Sequence, residues 1–307
     1  MFGFIKKRFL HRFILVEIQD ILVSIHTYDV KNNKILSQVS EDFTLESKDE
    51  FTEEVVEYIN KKQNDYVRSY VATLINSQGQ GIIPTCSSSK FKEFSIDRRY
   101  IYNLCIDKSF TNFVSRIEVS WIQKLFTKTG IDLIFSPFAI LKELIDKQNY
   151  KDKMTLYILY YNQTVVLMVK SDIGYIYGDF FLTTSMINPL YCDYENEEDE
   201  EEFEIDEEEF DFGDEFETSQ EVDTKEVELI EENKGFTANL SNSLKDFYTS
   251  NKYDSSFIEN VFIFVNTDLD QSIIRYIEDE LLLSTTVKYI DMDESIINLC
   301  QKEVIGV

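Results

Sequence analysis

The sequence predicts an α/β protein of two domains with a similar plan, facing each other across a cleft. Two stretches carry that expectation. Residues 155–182, TLYILYYNQTVVLMVKSDIGYIYGDFFL, read as three consecutive strands, Thr155–Tyr160, Thr164–Lys170 and Ile173–Leu182. Each is a run of β-branched, aromatic and aliphatic residues, and the breaks at Asn162-Gln163 and Ser171-Asp172 carry turn residues. Apolar residues are nearly continuous rather than alternating, which predicts a sheet covered on both faces. Residues 13–75 show the same order of three strands, a helix and a strand. A third observation, the placement of charge, separates an acidic insert from the folded remainder.

The first domain is expected over residues 13–148. Its opening strands are Phe13–Ile18, Ile21–Tyr28 and Lys34–Phe43, with turns at Gln19-Asp20 and Lys31-Asn32-Asn33. Ser47 followed by Glu50 has the form of a capping box, so a helix is expected from Ser47. Phe51, Val55, Val56 and Ile59 then fall on one face. Tyr66–Ile75 reads as the fourth strand. Residues 76–119 form an excursion: a polar loop at Asn76–Asp97, then strands Tyr100–Ile106 and Phe113–Val119. Trp121, Leu125 and Phe126 belong on a helix that Gly130 ends. Strand Ile131–Phe135 leads through Ser136 to Pro137, at the first position of a helix reaching about Lys147.

The second domain, 149–307, opens with the three strands already described. Helix Ala238–Ser250, strand Val261–Val265, helix Ser272–Leu282 and strand Thr286–Ile290 follow. Asp193–Glu232 interrupts it with 23 of the 57 acids and one of the 30 bases, a net of −22 that leaves −5 for the rest. A segment of this composition is predicted to be disordered. Its Phe203, Phe210, Phe212 and Phe216 give the acidic-aromatic alternation of interaction segments, although such runs also serve as solvated spacers. At the other end, the leader 1–12 is aromatic and basic. Lys6, Lys7, Arg8 and Arg12 suit either a solvated leader or a contact with an anionic membrane surface.

Several function classes are disfavoured by composition. The chain lacks the basic stripe of a nucleic-acid binder. Its four cysteines, Cys86, Cys105, Cys192 and Cys300, have no metal-binding spacing and read as free thiols in a reducing cytoplasm. Two histidines, His11 and His26, are too few for a zinc site. Ser87-Ser88-Ser89-Lys90 reads as loop rather than nucleophile, and Asp211-Phe212-Gly213 has none of the kinase motifs beside it. No apolar run approaches the ~20 residues of a membrane helix. These features predict a cytoplasmic protein with no metal and no cofactor.

The leader MFGFIKKRF feeding strand FILVEI, the runs IEVSWIQKLFTKTGIDLIFSPFAIL and FIFVNTDLDQSIIRYIEDEL, and the unit at 155–182 together resemble the actin-like ATPase superfamily. Within it the chain looks like the pilus and secretion type, PilM or the cytoplasmic domain of GspL. The resemblance covers nearly all of the chain except the insert, and implies the duplicated actin-like, ribonuclease H-like fold. That family binds nucleotide on three glycine-bearing turns, where a Cβ would obstruct the phosphate's approach to backbone N–H groups. At the matching positions stand Gln19-Asp20 after Glu17, Asn162-Gln163, and Asn266-Thr267 before Asp268. Three missing glycines imply that ATP hydrolysis is absent. They align the chain with GspL, whereas the lack of a membrane helix aligns it with PilM.

The expected function is therefore a non-catalytic scaffold of a type IV pilus, type II secretion or DNA-uptake machine. It would sit at the inner-membrane face and bind the cytoplasmic tail of a membrane partner, and an assembly ATPase. The family's docking region corresponds to Asn76–Val119, where Tyr100, Tyr102 and Phe110 are the candidate contacts. The alternatives are an active ATPase with atypical phosphate loops, and an acidic decoy binding a basic partner through 193–232.

Overall fold

The computed structural model describes residues 10–148, 153–183 and 224–306. Two five-stranded sheets carry the chain. The first joins β1 (His11–Gln19), β2 (Leu22–Lys31), β3 (Lys34–Thr44), β4 (Ser69–Leu74) and β8 (Leu133–Phe135), ordered β3-β2-β1-β4-β8. The second joins β9 (Thr155–Tyr161), β10 (Thr164–Ser171), β11 (Gly174–Leu182), β12 (Asn260–Val265) and β13 (Thr285–Tyr289), ordered β11-β10-β9-β12-β13. In both sheets the first three strands pair antiparallel and the last two join parallel. Even the irregularities correspond. The register slips between Asp29 and Val30 in β2 and between Val169 and Lys170 in β10, the second strand each time.

The helices repeat as well. In the first half α1 (Glu53–Asn64), α2 (Arg116–Leu125) and α3 (Pro137–Asp146) follow β3, precede β8 and follow β8. In the second half α4 (Thr224–Thr249), α5 (Gln271–Leu281) and α6 (Met292–Ile305) occupy the same places. Between β4 and α2 the first half carries an antiparallel sheet of β5 (Gln80–Ile83), β6 (Ile101–Ile106) and β7 (Phe110–Ser115), ordered β5-β7-β6.

Alternate side chains of each central strand serve different cores, as the two-residue period of a strand requires. Phe13 and Leu15 of β1, with Tyr157 and Leu159 of β9, enter a central core shared by both halves together with α3 and α6. Ile14 and Val16 face α1 and α2, whereas Leu156 and Ile158 face α4 and α5. All seven residues of β9 are buried, so the continuous apolar run does report a sheet covered on both faces.

Several expectations need correction. The first helix starts at Glu53 with Thr52 as its cap residue, not at Ser47. Ser47 Oγ instead accepts from the Asp49 amide at 3.2 Å, and Ser47 bridges Glu50, so the capping-box letters close a local turn. Phe113–Val119 is not one strand. β7 stops at Ser115, whose hydroxyl accepts from the Ile117 amide at 3.2 Å and starts α2. Helix α6 and strand β5 lie where no element was expected. The stretch 224–232, assigned to the acidic insert, continues helix α4, and residues 193–223 lie outside the described residues. Cys86 and Cys105 are not free thiols but form a disulfide within the excursion, because Cys86 follows β5 and Cys105 lies on β6 of the same small sheet. Cys300 is free and buried, its thiol pushed up to about 12 by burial.

Candidate functional site

The three turns that the sequence resemblance singles out are built by tight hairpins and one strand end. At the β1–β2 turn Asp20 adopts a left-handed conformation (φ 56°), and its carboxylate pairs with Lys48. At the β9–β10 turn Asn162 and Gln163 are both left-handed (φ 44° and 62°), the geometry of a two-residue hairpin loop that asparagine and glycine favour. The Gln163 carbonyl accepts from the Thr183 amide at 2.8 Å, which ties the turn to the end of β11. Asn266 follows β12, and its Nδ2 lies 3.4 Å from Asn162 Oδ1. The second and third turns therefore meet, through side chains at the two positions where the sequence resemblance leads one to expect glycine.

The first domain reaches the same place through Asn76, just beyond β4. Its Oδ1 accepts from Thr164 Oγ1 at 2.6 Å and lies 3.4 Å from the Tyr161 hydroxyl. On β1, half-buried Glu17 has its carboxyl raised above the ordinary range by burial first and by Asp293 second, against a smaller opposing effect of His26. Asp293, in the first turn of α6, accepts from the buried Tyr28 hydroxyl and lies 3.3 Å from His26 Nδ1. This cluster is thus acidic and internally bonded. Burial first, then the bond to Asp293 and the charges of Asp293, Asp291 and Glu17, push the Tyr28 hydroxyl above its ordinary range.

A crystallised protein of unknown function from Bacteroides thetaiotaomicron VPI-5482, described as having an actin-like ATPase fold, superposes with a TM-score of 0.51. The match is 7% identical and covers 97% of this chain and 99% of that one. The chain has the actin-like ATPase fold. The same fold appears in the PilM–PilN type IV pilus biogenesis complex, matched at a TM-score of 0.52 and 11% identity over 90% of this chain and 87% of that one. Residues 9–142 match the model of a domain of unknown function (DUF8569), and residues 156–305 that of another (DUF8341). The seam between those matches falls between α3 and β9, where one half of the actin-like fold ends and the other begins. No curated protein matches the chain.

On this fold the excursion carries the second candidate surface. Tyr100 and Tyr102 are exposed, at 66% and 47%, and Leu104, two residues on along β6, at 68%. Phe110 is different. It is fully buried against Tyr175 with ring centroids 4.7 Å apart, so it is core and unavailable to a partner. No local pattern signals this, because Phe110 lies beyond the β6–β7 turn and packs on the other half's sheet.

Arg12 also departs from the leader in which the sequence placed it. It lies on β1, buried, with Nε 2.7 Å and Nη2 3.1 Å from the Asp29 carboxylate. The Tyr66 ring stacks on its guanidinium at 3.7 Å, and the Tyr66 hydroxyl donates to Asp29 at 2.8 Å. Burial raises the Asp29 carboxyl, but the bonds from Arg12, Tyr66 and Ser37 outweigh it and hold it below the usual range. Arg12 is an internal ion-pair partner, not a membrane contact, while Lys6, Lys7 and Arg8 lie outside the described residues. Among the described residues no helix is long and apolar enough to cross a membrane.

Proposed function

We propose that this protein is a non-catalytic scaffold on an actin-like fold, working at the cytoplasmic face of a pilus, type II secretion or DNA-uptake machine. The observation that carries the reading is the contact between Asn162 and Asn266. Two turns that would each present bare backbone to phosphate instead present side chains, and those side chains bond to one another. At the first turn Gln19 stands at the expected glycine position, and Asp20 beside it already holds Lys48. With phosphate binding lost, the fold would serve to hold two surfaces in fixed relation.

Tyr100, Tyr102 and Leu104 supply the second support. Tyr102 and Leu104 on β6, with Tyr100 in the turn just before it, form an exposed row suited to the cytoplasmic tail of a membrane protein. The likeness to a PilM–PilN complex favours a pilus-type partner over other kinds.

Two experiments test the proposal. Mg-ATP at millimolar concentration should leave the melting temperature unchanged. A nucleotide at a hundredfold excess over Kd would stabilise by about 2.7 kcal/mol, a shift of several degrees. Such a shift, lost on changing Asn162 and Asn266, would replace the scaffold with an ATPase. Separately, membrane extracts passed over the immobilised protein should yield a specific inner-membrane protein. Its retention should fall at least tenfold with Tyr100→Ala/Tyr102→Ala. Undiminished retention would remove this surface from the function.

A further inference from the structure

The chemistry of the excursion narrows the kind of segment that docks there. The protein has a net charge of −27, yet between Lys90 and Arg116 six bases stand against three acids. Two of those acids are already engaged: Asp97 with Arg99 at 2.6 Å, and Asp107 with Lys142 from α3. A further base comes from the other half, where Lys252 Nζ lies 3.1 Å from Ser95 Oγ. Arg116 stacks over the Tyr102 ring at 4.7 Å, and its Nε donates to the Ile101 carbonyl at 3.3 Å. The aromatic row is therefore interleaved with positive charge.

Backbone geometry adds a direction. β6 is the end strand of its sheet, and among the described residues no strand pairs with its outer edge. An unpaired edge displays a row of N–H and C=O groups that an extended peptide can complete. Tyr102 and Leu104 project on one face of that strand, two residues apart, as pockets for alternate side chains of an added strand require.

We infer that the outer edge of β6 receives an extended acidic segment of the partner, paired as an added strand. Its apolar side chains lie on Tyr102 and Leu104, and its carboxylates face Lys92, Arg98 and Arg116. The inference rests on the docking role proposed above and adds the partner's chemistry to it. Charge complementarity argues for that occupant. A basic tail would meet like charge here, and a neutral one would leave the bases unused.

The test uses a fluorescent peptide with the sequence of residues 193–217, an acidic segment bearing aromatic residues, as probe. Anisotropy with the full chain, and with a variant whose acids in 193–217 are changed to Gln and Asn, should show saturable binding to at least the variant. Affinity should fall tenfold or more between 50 and 300 mM salt, because the contacts are exposed and screened. It should fall similarly with Lys92→Glu/Arg98→Glu, and on alternate N-methylation of the probe, which blocks strand pairing. Tighter binding by the variant than by the full chain would make the chain's own segment an occupant of the same edge, and the acidic preference would stand.

Absence of binding to both forms would overturn the inference. So would equal binding of a probe with its acids replaced by amides, or of the N-methylated probe. If the probe fails while capture of a membrane protein still depends on Tyr102, the acidic preference falls and the docking role survives.

Discussion

Single residues set how the joint between the halves responds to pH, and Glu17 is one of them. Its carboxyl is raised by burial and by Asp293, so the folded protein binds its proton more tightly than the unfolded chain does. Stability from this group is complete below the unfolded value and is lost as pH rises through the folded one. Glu17→Gln should therefore raise stability at pH 7 and lose that advantage near pH 4, by urea denaturation at the two pH values. An advantage independent of pH would mean that charge is not its cause. Asp29 has the opposite sign. Its lowered carboxyl contributes stability above the unfolded value, and the contribution disappears as pH falls through the folded one. Arg12→Ala strands that buried carboxylate and should cost about 3–5 kcal/mol. A solvated leader residue would cost about 0.5 kcal/mol or less, so one denaturation curve separates the two roles. Sequence alone placed Arg12 in the leader because charge run and strand start overlap there, and its partner is 17 residues away.

At the scale of elements, what repeats was legible and what crosses between halves was not. The three-strand units were readable because β9 to β11 are apolar runs broken by polar pairs, of which Asn162-Gln163 adopts the left-handed conformation. Helix α6 was equally written in the chain. Asp291 caps it by accepting from the Glu294 amide at 2.9 Å, and Met292, Ile296 and Cys300 recur at helical spacing. The expected repeat ends on the strand Thr286–Ile290 and so carries no helix after it. The disulfide was hidden for another reason: Cys86 and Cys105 meet only once β5 and β6 flank β7. The three turns were found by position, but their mutual contact depends on how β9 and β12 align, with Val265 opposite Tyr160. Close approaches are likewise invisible in sequence. Gly235 in α4 crosses the end of β11 so tightly that a Cβ would lie 1.8 Å from the Thr183 carbonyl oxygen. Gly235→Ala should destabilise by about 1–3 kcal/mol through overpacking, although alanine is the better helix former. A neutral or stabilising effect in thermal melting would show that α4 can move away from β11.

Across the whole molecule, the two halves are held by a shared apolar core and by two sets of polar ties. In one, Asn76 holds Thr164 and Tyr161 of the β9–β10 hairpin. In the other, Tyr28 and His26 of β2 hold Asp293 of α6, and Gln38 Nε2 donates to the Tyr28 hydroxyl at 2.9 Å. Asp293 also sits in the first turn of its helix, where the N-terminal dipole favours a carboxylate. A hydrogen bond to a charged group contributes about 1.5–3 kcal/mol, so Tyr28→Phe should lower stability by roughly that amount while leaving the ring's packing intact. The informative measurement is hydrogen exchange. If the two halves separate as units, Tyr28→Phe should speed exchange in the first turn of α6 and also in the β9–β10 hairpin, which the Asn76 tie holds. Asn76→Ala should do the same in reverse, reaching α6. Changes confined to the mutated side would mean that the ties fray independently. A scaffold that presents fixed surfaces requires the coupled result, since loosening at one tie must then be resisted, or released, by the other.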